Sequence, residues 1–310
     1  MNLPEGLWPV MLTTFNDNKK IDYTALEKLT SFYLEAGSAG LFANCLSSEM
    51  FELDRNERIS IIKTVVKAAK NTPVVATGTF VSDINANAEF IKEVYDQGVK
   101  AVIINSNQLV DADADGNDFK IQLEKLMQET GNIPLGIYEC PVPYKRLLSP
   151  DLMKWMGESG RFVYHKDTSC DIKDIEKKLL AINNTKLGLF NANVPTALDS
   201  IEKGAKGLSP IGANYFPELY SYLFNLLKNP GKKEEAKILN AFLSVIDPLV
   251  HNNYPFSAKL FLQQRGFKIN TLTRTTYTPL TAQDYIKLKD LNLIFEKLTK
   301  DFNITVATWS

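Results

Sequence analysis

Short β-branched runs alternate with amphipathic segments at an interval of roughly thirty residues over the first three-quarters of the chain, the spacing of one βα unit. Eight runs can be marked, at residues 7–12, 40–43, 73–77, 101–104, 134–138, 161–166, 186–190 and 207–211. The segments between them carry helix signals. Asp54 with Glu57 makes a capping box ahead of Ile62, Val65, Val66 and Ala69 on one face, and Asp22 precedes Ala25, Leu26, Leu29 and Tyr33, with Gly37 as the stop. Eight strands each followed by a helix predict an α/β fold, a (β/α)8 TIM barrel. A doubly wound open sheet has the same local pattern, but the strand count favours closure.

After the eighth run the chain reads as helices only, over 217–227, 233–249, 255–264 and 282–300. No low-complexity tract or hinge intervenes. The expected organisation is a barrel over residues 1–215 and a C-terminal helical extension over 216–310 packed against it.

Charge excludes several partner classes. With 35 Lys plus Arg against 36 Asp plus Glu, the net charge of −1 supplies no field for phosphate backbones or anionic lipid, so neither nucleic acid nor membrane is expected as a partner. No apolar run approaches the ~20 residues of a membrane span, and the first residues lack a signal-peptide pattern, which predicts a cytoplasmic protein. Cys45, Cys140 and Cys170 are widely spaced and form no C-x-x-C pair, so no metal site is expected, and no Walker or G-x-G-x-x-G loop argues for a nucleotide. No cofactor is implied.

In such a barrel the chemistry lies at the carboxyl ends of the strands. Lys166 ends the sixth run, and strict alternation puts it on the face of Phe162 and Tyr164. If that face is the interior, the amine is desolvated and its pKa falls, which makes it a nucleophile for a carbonyl carbon. The alternative is a surface lysine paired with Asp167. Tyr138 ends the fifth run, next to the sixth, with Gly136 on its side leaving space beneath the ring. The turn 44–49 offers backbone N–H groups to a carboxylate, and Ser47 or Ser48 can hydrogen-bond a phenol. His165 alternates away from Lys166 and is expected to pack under a helix.

These residues carry a family resemblance. The chain resembles the dihydrodipicolinate synthase and N-acetylneuraminate lyase family of pyruvate-dependent class I aldolases over nearly its whole length. Members carry G-[ST]-T-G-E after strand two, Y-N-x-P after strand five and G-x-K-D-[ST]-S after strand six. Here the corresponding runs are Cys45-Leu46-Ser47-Ser48-Glu49, Tyr138-Glu139-Cys140-Pro141 and Tyr164-His165-Lys166-Asp167-Thr168-Ser169. The run Gly204-Ala205-Lys206-Gly207 with the later Asn214, and the stretch from Phe256 to Gly266, match two further family motifs.

The resemblance implies that Lys166 forms an imine with a 2-oxo acid and that Tyr138 moves protons at it, with Ser47 as the matched loop hydroxyl. Leu46, Ser48, Glu139 and Leu208 are expected to contact substrate. The resemblance also suggests a homodimer or homotetramer.

Departures from the family shape the expected reaction. Leu46 stands where a relaying hydroxyl is usual, the interfacial tyrosine after strand four gives way to Asn105-Ser106-Asn107-Gln108, and Pro143 falls where lysine-pathway members place an arginine. Lys145 or Arg146 could compensate from nearby. The resulting expectation is a pyruvate-dependent lyase acting on a 2-oxo-3-deoxy sugar acid or related aldol. Two alternatives are a divergent 4-hydroxy-tetrahydrodipicolinate synthase and a barrel that binds 2-oxo acids without turnover.

Overall fold

The computed structural model describes residues 2–309. Its strands are β1 (Gly6–Leu7), β2 (Leu41–Ala43), β3 (Val74–Thr77), β4 (Ala101–Asn105), β5 (Leu135–Tyr138), β6 (Phe162–Asp167), β7 (Gly188–Asn191) and β8 (Gly207–Leu208). Helices α1 (Tyr23–Glu35), α2 (Arg55–Ala69), α3 (Ile84–Asp96), α4 (Gly116–Glu129), α5 (Pro150–Glu158), α6 (Ile172–Ala181), α7 (Ala197–Glu202) and α8 (Pro217–Leu227) follow the strands in turn. Three more, α9 (Lys233–His251), α10 (Phe256–Gln264) and α11 (Ala282–Asp301), complete the chain.

All strand pairs are parallel, in the order β1-β8-β7-β6-β5-β4-β3-β2. A single parallel bridge between Val10 and Phe42 joins the two ends and closes the (β/α)8 barrel. The first run is shorter as a strand than its apolar pattern suggests because Pro9 has no amide to donate. The Pro9 carbonyl still accepts from Phe42, and Met11 donates to the Phe42 carbonyl, so the seam holds without a regular ladder.

Alternation sorts the strand residues into two layers. Trp8, Phe42, Val75, Ile103, Tyr138, Tyr164 and Phe190 fill the interior, where Tyr164 stacks on Phe190 at 4.3 Å. Leu41, Val74, Val102, Ile104, Ile137 and Leu189 face outward into the larger core beneath the helices. In β6 the register against β5 slips between Leu135 and Gly136, so Val163 is an extra residue. Phe162 consequently packs in the outer core while Tyr164 stays inside. Strict alternation from Phe162 therefore fails, yet Tyr164 and Lys166 share the inner face beyond the bulge. Gly136 leaves no empty space either: a Cβ there would meet Ile103 Cδ1 at 2.3 Å.

The helix signals are realised in the caps. Asp54 accepts from Glu57 N at 2.8 Å while Glu57 accepts from Asp54 N at 3.1 Å, and Asp22 accepts from Ala25 N at 2.9 Å. Helix α8 packs against β1 and β8 as the eighth helix of the barrel, so a boundary at 215/216 separates β8 from its own helix. One continuous outer core reaches from Leu7 to Phe295 and Ala307, and it takes in residues of α9, α10 and α11. No helix among the described residues is long and apolar enough to cross a membrane.

Candidate active site

The turn after β2 is set by a left-handed Asn44 and by Ser48, whose hydroxyl donates to the Met11 carbonyl at 2.6 Å and accepts from Cys45 N at 3.1 Å. Thr13 clamps the same turn by donating to the Ser48 carbonyl at 2.7 Å. The 3₁₀ bonding of the turn begins with Ser48 N donating to the Cys45 carbonyl, so the amides of Leu46 and Ser47 precede it. Glu49, also left-handed, is fully buried and reaches the C-terminal helices. It pairs with Lys259 of α10 at 2.9 Å and accepts from the amides of Arg274 and Thr275. The C-terminal segment is thereby fastened to the rim of the barrel.

Lys166 and Tyr138 are paired across β5 and β6 in register, and the Lys166 Nζ lies 4.6 Å from the centre of the Tyr138 ring. Both side chains are almost wholly buried, and the Phe42 ring stands 5.9 Å from the same amine. Among the described residues no carboxylate lies within ion-pair distance of Lys166; Asp167 points out of the barrel, to Lys178 and Ser169. Burial brings the Lys166 pKa down to about 8. A substantial fraction of the amine is then neutral near physiological pH, as carbonyl attack requires. Burial also pushes the Tyr138 phenol well above its usual value, so it holds its proton until a reacting atom takes it.

A cavity of about 910 Å³ opens over this pair. Leu46, Ser47, Tyr138 and Lys166 line it, together with Tyr254 and Ile211. Its lining away from the strand ends also includes Gln108, Thr168, Asn193, Glu52 and Thr275, and Asp247 and His251 of α9. Lys145 also lines it, with Nζ donating to the Thr168 carbonyl. Arg146 is turned away and donates to the carbonyls of Asp111 and Ala114.

Three residues expected to contact substrate are placed elsewhere. Ser48 lies beneath the turn, occupied as its internal brace. Leu208 faces the outer core, because β8 alternates and its neighbour Gly207 faces the lumen, where a Cβ would meet Phe190. Glu139 points off the barrel axis into a buried charge cluster, accepting from Leu148 N and Thr168 N at 2.9 Å each and from Lys178 of α6 at 2.6 Å.

His165 lies in that same cluster behind β6, with Nε2 3.4 Å from Asp167 and 3.9 Å from Glu139. Glu139, His165 and Asp167 bring potential metal ligands within 4.8 Å of one another, but Lys178 already reaches Glu139 and Asp167 at 2.6 and 2.7 Å and supplies the cation there. Asp174 adds a third carboxylate at 2.8 Å. Burial alone would raise the Asp167 carboxyl, but its His165 and Lys178 neighbours outweigh it and hold it well below the usual range. The sequence offered a signal for Lys178 only in hindsight: it sits on the buried face of α6, level with Ile175.

The run replacing the interfacial tyrosine has a different task. Asn107 Nδ2 lies 2.7, 2.9 and 2.5 Å from the carbonyls of Cys140, Val142 and Tyr144, and its two hydrogens, shared among them, pin the loop after β5. Tyr254, by contrast, was not singled out from sequence, since it lies in a helix-to-helix turn far from any strand end.

The sequence model of the dihydrodipicolinate synthetase family matches residues 3–293. The chain belongs to this family, one of carbon–carbon lyases of the class I aldolase type. It is 23% identical over 293 residues to a 4-hydroxy-tetrahydrodipicolinate synthase of Brachyspira hyodysenteriae, covering 94% of this chain and 97% of that protein. Its fold matches the dihydrodipicolinate synthase of Bacillus anthracis with a TM-score of 0.84 at 18% identity, covering 94% of this chain and 98% of that one. The enzyme of Acinetobacter baumannii, solved as a complex with pyruvate, matches with a TM-score of 0.83 at 22% identity over 98% of this chain and all of that one.

Proposed function

We propose that this chain is a Schiff-base aldolase with pyruvate or a close 2-oxo acid as donor, which cleaves or forms a 2-oxo-3-deoxy sugar acid or related aldol. The observation that carries this is Lys166, buried without a carboxylate partner beside Tyr138 and open to the cavity. Lys166 attacks the ketone carbon, and the carbinolamine loses water to give a protonated imine. The imine withdraws electrons from the adjacent carbon, which stabilises the enamine formed on aldol cleavage and lets the same enamine attack an aldehyde in reverse. Tyr138 gives and takes the protons these steps need. The amides of Leu46 and Ser47 are suited to the carboxylate of the 2-oxo acid.

The outer cavity argues for a polyhydroxylated acceptor. Its lining sets the neutral Gln108, Asn193, Thr168 and Thr275, groups suited to hydroxyls, beside Glu52, Asp247, His251 and Lys145, and no arginine among the described residues lines it. Besides Lys166, the lysine lining the cavity among the described residues is Lys145, already bonded to the Thr168 carbonyl. Lys145 keeps a divergent 4-hydroxy-tetrahydrodipicolinate synthase as the second reading, in line with the names of the curated relatives. We further propose a cytoplasmic homo-oligomer, dimer or tetramer, on the family resemblance.

The test is incubation with pyruvate and borohydride, followed by peptide mass mapping. A reduced adduct on Lys166 is expected, and its absence with every 2-oxo acid tried rejects the proposal. Cleavage of 2-oxo-3-deoxy sugar acids, against condensation of pyruvate with aspartate semialdehyde, then separates the two readings. An adduct with neither reaction and no exchange of pyruvate methyl protons identifies a binding barrel.

A further inference from the structure

Helix α9 seats on α7, α8 and the turn after β8 through a buried stripe of Ala236, Leu239, Leu243 and Val250. Position 247 falls on the same stripe, four residues after Leu243 and three before Val250, where the helical period calls for an apolar side chain. The sequence has Asp247 there. Its half-buried carboxylate lines the catalytic cavity, and His251, one turn further along α9, lines it too.

A carboxylate on the packing face of a helix is costly unless something engages it. Among the described residues no group donates a hydrogen bond to the Asp247 side chain, and no lysine or arginine lies within ion-pair distance of it. Burial accordingly pushes its carboxyl above the ordinary value, against the pull of His251. His251 Nδ1 stands 3.6 Å from Asp247 Oδ2 but 2.8 Å from the Asp247 carbonyl oxygen. A carbonyl can only accept, so Nδ1 carries the hydrogen and spends it on the main chain. In the neutral imidazole Nε2 is then an acceptor, and it has no partner among the described residues.

The pair therefore presents acceptors to the cavity. Asn193 supplies the converse on the same lining: its Oδ1 accepts from the amide and the hydroxyl of Thr196, which leaves Nδ2 to donate. A hydroxyl both donates and accepts and so satisfies such a set. A carboxylate or phosphate brings acceptors only and would meet Asp247 with like charge.

We propose that Asp247 and His251 are specificity residues that bind the hydroxyl-bearing tail of the acceptor half of the substrate, beyond the carbon on which Lys166 and Tyr138 act. The proposal rests on the Schiff-base reading and narrows it. The aldehyde released or captured carries at least one hydroxyl past its carbonyl carbon and no second acid group at that end. The strand ends then hold the reacting centre, while a helix outside the eight βα units selects the tail.

The experiment compares wild type, Asp247→Asn, Asp247→Leu and His251→Phe, with folding followed by thermal melting. Leucine suits the stripe, so a loss of activity in Asp247→Leu without a loss of melting temperature is not a packing effect. Cleavage of a panel of 2-oxo-3-deoxy sugar acids is set against that of 4-hydroxy-2-oxopentanoate, whose tail is a methyl group. For the best sugar acid, kcat/KM should fall roughly tenfold to a hundredfold in the Asp247 variants and roughly three- to tenfold in His251→Phe, chiefly through KM. Cleavage of the methyl-tailed aldol and borohydride trapping of pyruvate should stay within about twofold of wild type. Equal losses on both kinds of substrate would make the pair structural. Sugar-acid cleavage within about twofold of wild type in every variant, or a wild type that prefers the methyl-tailed aldol, would remove the pair from the site. A wild type that condenses pyruvate with aspartate semialdehyde, and loses that reaction in Asp247→Asn, would assign the carboxylate to an ammonium and overturn hydroxyl recognition. A wild type that forms no adduct rejects the Schiff-base reading itself, a result distinct from these.

Discussion

The Lys166 amine and the Tyr138 ring occupy neighbouring strands in register, 4.6 Å apart, and the bulge at Val163 is what brings Lys166, with Tyr164, onto the inner face that Tyr138 shares. The cation lies over an aromatic face rather than beside a carboxylate. Its charged form therefore has only weak support against the loss of hydration.

Replacing Lys166 by Ala should abolish the borohydride adduct and leave the fold intact, because it removes a buried amine rather than a packing anchor. Circular dichroism and mass mapping check both halves. An unfolded variant would assign Lys166 a structural role.

The lowered Lys166 pKa predicts a pH profile. Because the folded value of about 8 lies below the ordinary 10.5, the folded protein binds fewer protons than the unfolded chain between these two values. The cost of burying this group is full below about pH 8 and disappears as the pH rises toward 10.5. Lys166→Met should thus be more stable relative to wild type at pH 7 than at pH 10, by urea denaturation. Trapping of pyruvate by the wild type should quicken as pH rises through about 8. A flat trapping profile from pH 6.5 to 9 would contradict the desolvated amine.

Tyr138→Phe should keep 2-oxo acid binding and lower turnover by roughly 10² to 10⁴, the range for a positioned acid–base group. Ring packing against Phe42, at 5.8 Å between centroids, is preserved by the substitution. Steady-state kinetics with the best substrate of the sugar-acid panel supply the measurement, and an unchanged rate would reduce Tyr138 to packing.

Ser47→Ala and Glu139→Gln should separate. Ser47 lines the cavity, whereas the Glu139 carboxylate is held outside the barrel by Lys178 and by the amides of Leu148 and Thr168. Turnover should fall about a hundredfold in Ser47→Ala. Glu139→Gln should show its loss in urea midpoint rather than in rate. The reverse order would move the relay to the carboxylate.

Lys178→Met leaves Glu139, Asp167 and Asp174 facing one another without the ammonium that lies within 2.8 Å of each. Breaking a buried ionic cluster in this way should cost about 3 to 5 kcal/mol at neutral pH. In the wild type the Asp167 pKa is held down, so its contribution is present above its unfolded value and lost as pH falls toward the folded one. The deficit of Lys178→Met should accordingly be smaller at pH 4 than at pH 7. An equal deficit at both would mean that the lysine stem, not its charge, carries the effect.

The sequence by itself determined the barrel and the positions of its two central residues. Period-two runs and caps are local, and a residue at the end of a strand keeps its place at the rim however the helices pack. Lys166, Tyr138 and Ser47 were legible for that reason, as were α8 and the starts of α9 and α11. Which face each side chain takes was decided by tertiary structure. Pro9 interrupts a strand that reads as continuous, and the Val163 bulge moves Phe162 outward; neighbours across the sheet settled both. Ser48, Glu139 and Leu208 look like substrate contacts along the chain, but a brace to Met11, the ammonium of Lys178 and the outer core claim them. Tyr254 shows the limit most plainly. It lies 207 residues after Ser47 in the chain, and only the packing of the C-terminal helices on the rim, fastened by Glu49 and Lys259, brings the two residues to one cavity. Such a placement is written in long-range packing, which has no period for a sequence to display.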